Sequence, residues 1–357
     1  MLQSDCVVAI GVSGGKDSDA CAIAVSKYLD MIGHSGPRIL IHSDLGRVEW
    51  KDSLPACQRL ATLLGWELMV VRRNAGDLMD RWQTRWKNNV SRYNDLSCVK
   101  LILPWSTPSL RFCTSEAKTD IIAAQLKKRF PSSDILNVTG VRRQESPNRQ
   151  KMPVAAVHSK LTRKHTRGLT WNAIIEWRLE DVFDAISEAQ LPLHEAYSRY
   201  HTSRVSCCFC MMGSIADLTA AAGCEDNHDV YRLMVDLEAE STFAFQGNRW
   251  LADVAPHLLG DELQRRVKEA KAAAAARQKV EALLPKHLLY TAGWPTCLPS
   301  DSEAGLIAHV RREVSALVGL EAGYLTGEAV KFRYAELLAA KGAAKGKRRV
   351  NQKPVEV

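Results

Sequence analysis

Short apolar runs alternate with longer amphipathic stretches over the first two thirds of the chain. The apolar runs have the length of buried strands and lie at residues 7–12, 38–42, 67–71 and 135–139. The stretches between them repeat apolar residues at helical spacing, as in residues 19–33 and 51–64. Strands that alternate with helices predict an α/β fold built on a doubly wound parallel sheet. We assign residues 1–213 to this α/β domain.

The pattern changes beyond residue 213, where only helical periodicity remains. An Ala-rich stretch at residues 261–284 and further amphipathic stretches predict a helical extension over residues 214–340. Residues 341–357 are basic and interrupted by glycine, which predicts a disordered tail. Two structured regions and a tail agree with a length of 357 residues.

The composition limits the compartment and the partners. The formal net charge of +8 favours polyanionic partners, and the basic segment 149–167 and the basic tail are candidate contacts for nucleic acid. No apolar run approaches the roughly 18 residues of a membrane span, and the N-terminus resembles a first strand rather than a signal peptide. We expect a cytoplasmic location without membrane contact. In that compartment, ten cysteines indicate metal or thiol chemistry before disulfides.

The first strand leads into the sequence Ser-Gly-Gly-Lys-Asp-Ser at residues 13–18, and a helical pattern follows. A strand, a Gly-rich turn and a helix aim backbone N–H groups and the positive end of the helix dipole at a phosphate. Lys16 adds a point charge, and Ser13 and Ser18 add hydroxyl donors. The common P-loop requires a glycine at position 10 and a hydroxyl residue at position 17, where this chain has Ile10 and Asp17.

Polar residues also follow the second and fourth predicted strands. Asp44 ends the second strand, and the carboxyl ends of parallel strands line the ligand crevice of such folds. Arg142 and Arg143 follow the fourth strand, where an arginine pair forms a phosphate clamp. Glu145 can hold either arginine in place. We therefore predict a second anion-binding wall opposite the loop at residues 13–18.

The cysteines of the α/β domain concentrate in two segments. Cys113 lies where a helix is predicted to begin, a position that favours a thiolate. Cys207 and Cys210 form a C-x-x-C pair, which can chelate one metal ion or cluster. Cys113 is the natural third ligand, and Cys208 or Cys224 is a candidate fourth. The spacing fits zinc as well as an iron–sulfur cluster.

Several motifs together resemble one family. SGGKDS at residues 13–18 resembles the pyrophosphate loop (PP-loop) of N-type ATP pyrophosphatases and of phosphoadenosine-phosphosulfate (PAPS) reductase-like proteins. GVRRQES at residues 140–146 resembles the second signature of that family, and residues 177–197 and 204–210 resemble its later elements. The likeness is to the nucleic-acid- and phage-associated branch, which includes the ATP-pyrophosphatase component of DNA phosphorothioation.

The resemblance implies an adenine nucleotide alpha hydrolase-like (HUP) fold that binds ATP, or PAPS or adenosine phosphosulfate (APS), with Mg²⁺ near Asp17. It also favours a [4Fe–4S] cluster over zinc at the cysteines. The residues expected to bind the nucleotide are Ser13, Gly14, Gly15, Lys16, Asp17, Ser18, Asp44, Gly140 and Ser146. The residues expected to act in catalysis are Lys16, Asp17, Arg142, Arg143 and Glu145. The residues expected to bind the metal are Cys113, Cys207, Cys210, Cys208 and Cys224.

Three functions are compatible with these motifs. The first is an ATP pyrophosphatase that adenylates a substrate for sulfur transfer, with a cysteine desulfurase or thioredoxin as a sulfur-donor partner. The second is a PAPS or APS reductase, although the Glu-Cys-Gly-Leu-His motif that sulfate-assimilating reductases carry near the C-terminus does not occur in this sequence. The third is a nucleotide-binding subunit of a larger complex that has no turnover of its own.

Overall fold

The structure is a computed structural model that describes the backbone of residues 1–350 and the side chains of residues 1–342. Its centre is one six-stranded sheet with the order β3-β2-β1-β4-β6-β5, in which β5 is antiparallel to β6 and the other neighbours are parallel. The strands are β1 Val7–Val12, β2 Arg38–Asp44, β3 Glu67–Arg72, β4 Ile135–Thr139, β5 Ala155–Val157 and β6 Gly168–Asn172. The predicted doubly wound, mainly parallel sheet is confirmed.

The chain reverses its direction of winding at β1, which pairs with β2 on one side and with β4 on the other. Ligands of open α/β sheets bind at such a switch point, beyond the carboxyl ends of the strands. The loop at residues 13–18 follows β1 directly, and Gly140 follows β4. The topology therefore places the two predicted anion-binding segments side by side.

The sheet is buried on both faces, as expected of a parallel sheet covered by helices. Val8 and Ile10 of β1 pack in one apolar cluster with residues of the helix Lys16–Met31, while Val7 and Ala9 pack in a second cluster on the opposite face. Burying a side chain of this size stabilises the fold by about 1.5–3 kcal/mol. The alternation along β1 therefore fixes the register from which the following loop starts.

Helices make up most of the remaining chain. Those of at least eight residues are Lys16–Met31, Ser53–Leu64, Leu78–Asn94, Asp120–Arg129, Leu179–Glu188, Ile215–Ala222, His228–Ser241, Asp261–Glu281, Asp301–Val318 and Gly327–Val350. The predicted helical C-terminal region is confirmed. No helix within the described residues is long and apolar enough to cross a membrane.

The chain forms two compact units whose bounds differ from the predicted division at residue 213. The α/β unit comprises Met1–Arg81 and Ser106–Arg232, and the helical unit comprises Trp82–Trp105 and Leu233–Val357. The buried carboxylate of Glu238 organises the helical unit, because it accepts backbone N–H groups of Phe245 at 2.7 Å, Leu251 at 2.8 Å and Ala252 at 3.0 Å. Residues 82–105 belong to the helical unit although they lie far from its other residues in the sequence. Local periodicity gives no sign of such a long-range association.

The basic segment 149–167 has more structure than its composition indicated. It contains β5, and its Arg167 donates from Nε to Asp134 Oδ2 at 2.8 Å, while Lys160 pairs with Asp120. Arg163 donates to the carbonyl of Phe130 at 2.8 Å. Three of its cations are therefore used in holding the segment against the α/β unit.

The basic C-terminal segment also differs from the prediction of a disordered tail. The last described helix continues through residue 350, because lysine, arginine and alanine are good helix formers despite the intervening glycines. Residues 351–357 lie outside the described part of the chain.

Candidate functional site

The loop at residues 13–18 has the geometry of an anion cradle. Gly14 has φ +70°, and a Cβ atom there would lie 2.9 Å from Cβ of Ala56, so only glycine fits without strain. Gly15 is the N-cap of the helix Lys16–Met31, and Ser18 donates from its N–H and its hydroxyl to the Gly15 carbonyl at 3.0 and 2.7 Å. The first turn of a 16-residue helix is thereby aimed at the space in front of the loop.

Lys16 is buried, and its ammonium group faces this space. Nζ donates to the carbonyl of Ser203 at 3.0 Å and lies 3.4 Å from Oδ2 of Asp17. It also lies 5.1 Å from the ring centroid of Tyr197. A buried ammonium with one carboxylate at the edge of hydrogen-bonding distance favours the approach of a further anion.

Gly140 and Arg142 form the second wall and contact the loop directly. A Cβ atom at Gly140 would lie 2.7 Å from the carbonyl carbon of Asp17, and closer still to its oxygen. Arg142 donates from Nε to Oδ1 of Asp17 at 2.7 Å and from Nη1 to Oε1 of Gln144 at 2.8 Å. The predicted opposition of the two segments is therefore present as a direct backbone and ion-pair contact.

Glu145 and Ser146 hold this wall in place. Oε2 of Glu145 accepts the backbone N–H of Arg142 at 2.9 Å and also pairs with Arg149. The hydroxyl of Ser146 accepts the N–H of Arg149 at 3.3 Å and caps the short helix Pro147–Gln150. Glu145 thus orients an arginine as predicted, while Ser146 acts as a helix cap rather than as part of the cavity lining.

Two of the predicted residues point elsewhere. Arg143 donates from Nε to Glu176 at 2.7 Å and from Nη1 to the carbonyl of Met152 at 2.8 Å, because a 3₁₀ turn begins at this residue. Asp44 accepts from the N–H of Gly46 at 2.7 Å and from Nε of Arg72 at 2.9 Å. Neither lines the cavities described below, so both have structural contacts in place of the expected contacts with a nucleotide.

Two adjoining cavities occupy this edge of the sheet. The phosphate cavity, of about 460 Å³, is lined by residues of the loop, by Arg142, Glu145 and Arg149, and by Tyr197 and Arg204. The base cavity, of about 250 Å³, is lined mainly by apolar groups such as Val12, Ile41, Ile122, Ala123, Val138 and Leu161. Ser13 and Gly140 line both cavities. The result is a continuous site with one cationic part and one apolar part.

Tyr197 and His158 each bring a buried polar group to the site. The Tyr197 hydroxyl accepts the N–H of Val205 at 3.0 Å and that of Lys16 at 3.4 Å, and burial raises its pKa, so the phenol is protonated. His158 lines the base cavity, its Nδ1 is buried without a hydrogen-bond partner in the described structure, and burial lowers its pKa. The sequence includes Tyr197 only as the end of a segment that resembles the family, and no sequence signal indicates His158.

The five candidate metal ligands separate into two groups. Burial raises the pKa of Cys207 to about 12; the charges that act on its thiol are those of Lys118, Cys210, Glu49 and Cys113. Cys113, Cys207 and Cys210 therefore share one neighbourhood, which we call the thiol trio. No disulfide links any of the ten cysteines, all of which lie within the described residues.

Cys208 and Cys224 belong to the second group. The Cys208 thiol is buried and donates to Oδ1 of Asn227 at 3.0 Å, and the buried thiol of Cys224 raises the pKa of Tyr200. The Cys207 thiol acts electrostatically on that of Cys208, but the hydrogen bond to Asn227 already occupies the Cys208 thiol. The expectation that Cys208 or Cys224 supplies a fourth ligand is not supported by these contacts.

The thiol trio fits a thiolate-bound cluster or zinc ion by the chemistry of its donors, with Lys118 as a nearby cation that favours thiolate. Its side chains are not assembled as ligands, because no group of three His, Cys, Asp or Glu residues in the described chain is placed to hold a metal ion. Asp17 is engaged by Arg142 and Lys16 and does not fit a direct Mg²⁺ ligand.

Comparisons with known proteins bear on this site. The sequence model of the phosphoadenosine phosphosulfate reductase domain matches residues 7–212, which include the loop, the second wall and the thiol trio. No curated protein matches the chain at significant similarity.

Solved structures that resemble this chain include two enzymes. A phosphoadenylyl-sulfate (PAPS) reductase from Candida auris, in complex with phosphate, is 14% identical and covers 56% of this chain and 80% of its own, with a TM-score of 0.35. The U34-tRNA thiolase NcsA from Methanococcus maripaludis, with its [4Fe-4S] cluster, is 16% identical and covers 66% of this chain and 73% of its own, with a TM-score of 0.35.

Proposed function

Because the chain belongs to the phosphoadenosine phosphosulfate reductase domain family, we propose that it binds ATP across the two cavities and cleaves it between the α and β phosphates. The cleavage would adenylate a substrate for sulfur transfer. The observation that carries this proposal is the pair of adjoining cavities that share Ser13 and Gly140. One cavity has the polarity of a purine nucleoside and the other that of a polyphosphate.

The charges of the phosphate cavity support this orientation of the nucleotide. Lys16, Arg142, Arg149 and Arg204 line it together with only two carboxylates, those of Asp17 and Glu145. The N-terminus of the helix Lys16–Met31 adds a positive dipole end on the same side. The base cavity is lined by strand ends and apolar side chains, which suit a flat and weakly polar ring.

The proposed reaction is a nucleophilic substitution at phosphorus. An oxygen of the substrate forms a bond to the α phosphorus, the bond from that phosphorus to the bridging oxygen breaks, and pyrophosphate leaves with the bonding electron pair. Lys16 and Arg142 line the phosphate cavity, so they would lie near the negative charge that develops, and preorganised cations lower the barrier there. A sulfur nucleophile then attacks the adenylated carbon of the substrate and displaces AMP.

The thiol trio is proposed as the place where sulfur chemistry occurs. Cys113, Cys207 and Cys210 would hold a [4Fe–4S] cluster, with zinc as the alternative, and a bound cluster would supply a site for transient sulfur ligation. What supports this assignment is the shared electrostatic neighbourhood of the three thiols. Three protein ligands would leave one iron accessible, so Cys208 and Cys224 are not required.

The proposal also includes two partners, a nucleic-acid substrate and a protein that donates sulfur. The side chains of Lys151, Lys164 and His165 in the basic segment are exposed and make no ion pair or hydrogen bond within the described structure, so they are the groups that would contact a nucleic-acid substrate. A protein that delivers sulfur, such as a desulfurase or thioredoxin, would complete the reaction.

The deciding experiment follows the products formed from ATP that is labelled in the α and γ phosphates. We expect AMP and pyrophosphate, and Lys16→Ala should lower their formation roughly 100- to 1,000-fold. Lys27→Ala is the matched control, because Lys27 lies on the same helix in an exposed pair with Glu188 and should leave the rate unchanged. ADP and phosphate as sole products would refute the proposal, and release of sulfite from PAPS would favour a reductase instead.

A further inference from the structure

The cations of the phosphate cavity differ in how far the protein itself already uses them. Arg142 is engaged by Asp17 and Gln144, and Arg149 pairs with Glu145. Lys16 donates to the Ser203 carbonyl. The side chain of Arg204 is exposed and makes no hydrogen bond, ion pair or ring contact within the described structure, although it lines the same cavity. Its five N–H donors are therefore available to a ligand.

The backbone around Arg204 is held firmly on both sides. Ser203 donates from its N–H to Oδ1 of Asp217 at 2.7 Å and from its hydroxyl to Oδ2 at 3.0 Å. Val205 donates its N–H to the Tyr197 hydroxyl at 3.0 Å. The Lys16 contact with the Ser203 carbonyl adds a link to the nucleotide loop itself. Because the backbone on both sides of Arg204 is already fixed, little backbone entropy would be lost when its side chain binds a ligand.

The charges that line the phosphate cavity also favour an anionic ligand at Arg204. Four cations and two carboxylates line the cavity, which leaves a formal excess of two positive charges. Asp17 pairs with both Arg142 and Lys16, and Glu145 pairs with Arg149, so Arg204 is the lining cation that has no carboxylate partner in the described structure. A polyphosphate that enters the cavity would meet Arg204 as an uncompensated partner.

We propose that Arg204 binds the terminal phosphates of the nucleotide, as a partner of Lys16 in the lining of the phosphate cavity. This inference rests on the proposed function and names a residue that the sequence motifs did not assign. A guanidinium forms paired hydrogen bonds with phosphate oxygens, which an ammonium cannot do. Arg204 also lines a small pocket with Cys207 and Cys210, so the contact would place the pyrophosphate end of the ligand beside the thiol trio.

Equilibrium binding of two simple probes tests the assignment. Inorganic pyrophosphate probes the phosphate cavity, and adenosine probes the base cavity. We expect Arg204→Ala to weaken pyrophosphate binding about 10- to 100-fold while adenosine binding is unchanged. Arg204→Lys should recover part of the loss because it restores the charge without the paired geometry.

Arg199→Ala provides the matched control for general charge effects. Arg199 is exposed, lies five positions earlier, stacks on Tyr200 and does not line the phosphate cavity. Its variant should bind pyrophosphate as the wild type does. Equal losses in the Arg199 and Arg204 variants would overturn the assignment, as would unchanged pyrophosphate binding in Arg204→Ala.

The outcome for the wild type separates this inference from the proposed function. A wild-type protein that binds adenosine and pyrophosphate, together with an Arg204→Ala variant that binds both equally well, would refute only the role of Arg204. A wild-type protein that binds neither probe would refute the nucleotide site and with it this inference. Circular dichroism of each variant verifies the fold, which an exposed side chain without contacts should not affect.

Discussion

The phosphate cavity and the thiol trio lie in the same α/β unit but are built in different ways. The parts of the phosphate cavity contact one another directly, through Arg142 with Asp17, Gly140 against Asp17, and Lys16 with the Ser203 carbonyl. The members of the thiol trio act on one another electrostatically, but no group of three His, Cys, Asp or Glu side chains in the described chain is placed to hold a metal ion.

The difference shows what backbone geometry can and cannot fix. An anion cradle consists largely of backbone N–H groups and of ion pairs that satisfy one another. Its geometry therefore does not depend on a bound ligand. Thiols form weak hydrogen bonds and are brought together by a shared metal more than by each other. The two regions should therefore respond differently to substitution, and the predictions below are arranged from the largest expected effect to the smallest.

The largest effect is expected for metal content. Substitution of Cys113, Cys207 or Cys210 by serine should abolish retention of iron or zinc, because each removes one of only three thiolate donors. Cys208→Ser is the matched control, since Cys208 is adjacent in sequence and a serine preserves its hydrogen bond to Asn227. Iron, sulfide and zinc are measured after anaerobic purification.

Two outcomes would contradict the assignment of the thiol trio. One is an active wild-type protein that contains no metal, and the other is a Cys207→Ser variant with the metal content of the wild type. Loss of metal in Cys208→Ser alone would reassign the ligands to the second group of cysteines.

The next effect compares two glycines, one in each region. Gly140→Ala would place a Cβ atom against the Asp17 carbonyl, which cannot move without displacing the loop. We expect nucleotide affinity to fall on the order of 100-fold, as overpacking against backbone costs about 1–3 kcal/mol or more. In Gly213→Ala the nearest atom, the Cys210 carbonyl oxygen, would lie 3.1 Å away, which a small shift accommodates.

Isothermal titration with an ATP analogue measures both variants. Nucleotide affinity in Gly213→Ala should stay within about threefold of the wild type, because Gly213 does not line the phosphate cavity. An equal loss in the two variants would show that the two regions are one rigid assembly, and the comparison drawn above would fail.

A smaller effect separates two neighbouring arginines. Arg142→Ala should weaken nucleotide binding about 10-fold, since it removes a buried guanidinium that holds Asp17 in place. Arg143→Ala should change affinity by less than about twofold, because its contacts are with Glu176 and two carbonyl groups of the following segment. Binding titrations on both variants are compared, and a larger loss for Arg143→Ala would reverse the assignment.

These two arginines also show where the sequence stops being informative. The loop at residues 13–18 could be predicted because its function depends on residues that are adjacent in the chain. Which of Arg142 and Arg143 faces the loop depends on a single 3₁₀ turn, and neighbouring residues give no signal of that choice. Asp44 was predicted to face the nucleotide, but its register partner on β3 is Arg72, which pairs with it.

Long-range partners account for the other departures. Arg204 appeared in the sequence only as the start of a motif, because its freedom from partners is a property of the folded surroundings. Arg167, Lys160 and Arg163 of segment 149–167 contact Asp134, Asp120 and Phe130, which lie 33 to 40 positions earlier, so composition alone could not assign these contacts. Cys208 was a candidate ligand by sequence, but its thiol is hydrogen-bonded to Asn227, which lies 19 positions later.

The last prediction concerns stability rather than binding: a dependence of the free energy of unfolding on pH distinguishes the two regions. Asp19 lies in the first turn of the helix behind the loop, and burial raises its pKa to about 7. Asp217 supports the cysteine segment and has the opposite shift: burial favours its neutral form, but hydrogen bonds from Ser203 and Ser214 outweigh this and lower its pKa. One region is thus weakened by ionisation of its carboxyl group, and the other is strengthened by it.

The sign for Asp19 follows from proton binding. The folded chain keeps the Asp19 proton up to about pH 7, whereas the unfolded chain releases it near the ordinary aspartate pKa of 3.8, so the folded state binds more protons between these values. The free energy of unfolding should therefore fall as pH rises through this window, by about 1.4 kcal/mol per pH unit from this group.

Urea unfolding of the wild type and of Asp19→Asn at about pH 5, 6 and 7 measures this dependence. Asp19→Asn should flatten the dependence, and Asp217→Asn should retain it, because Asp217 loses its contribution only as pH falls through its lowered pKa. Equal slopes in the wild type and Asp19→Asn would show that Asp19 ionises normally behind the loop.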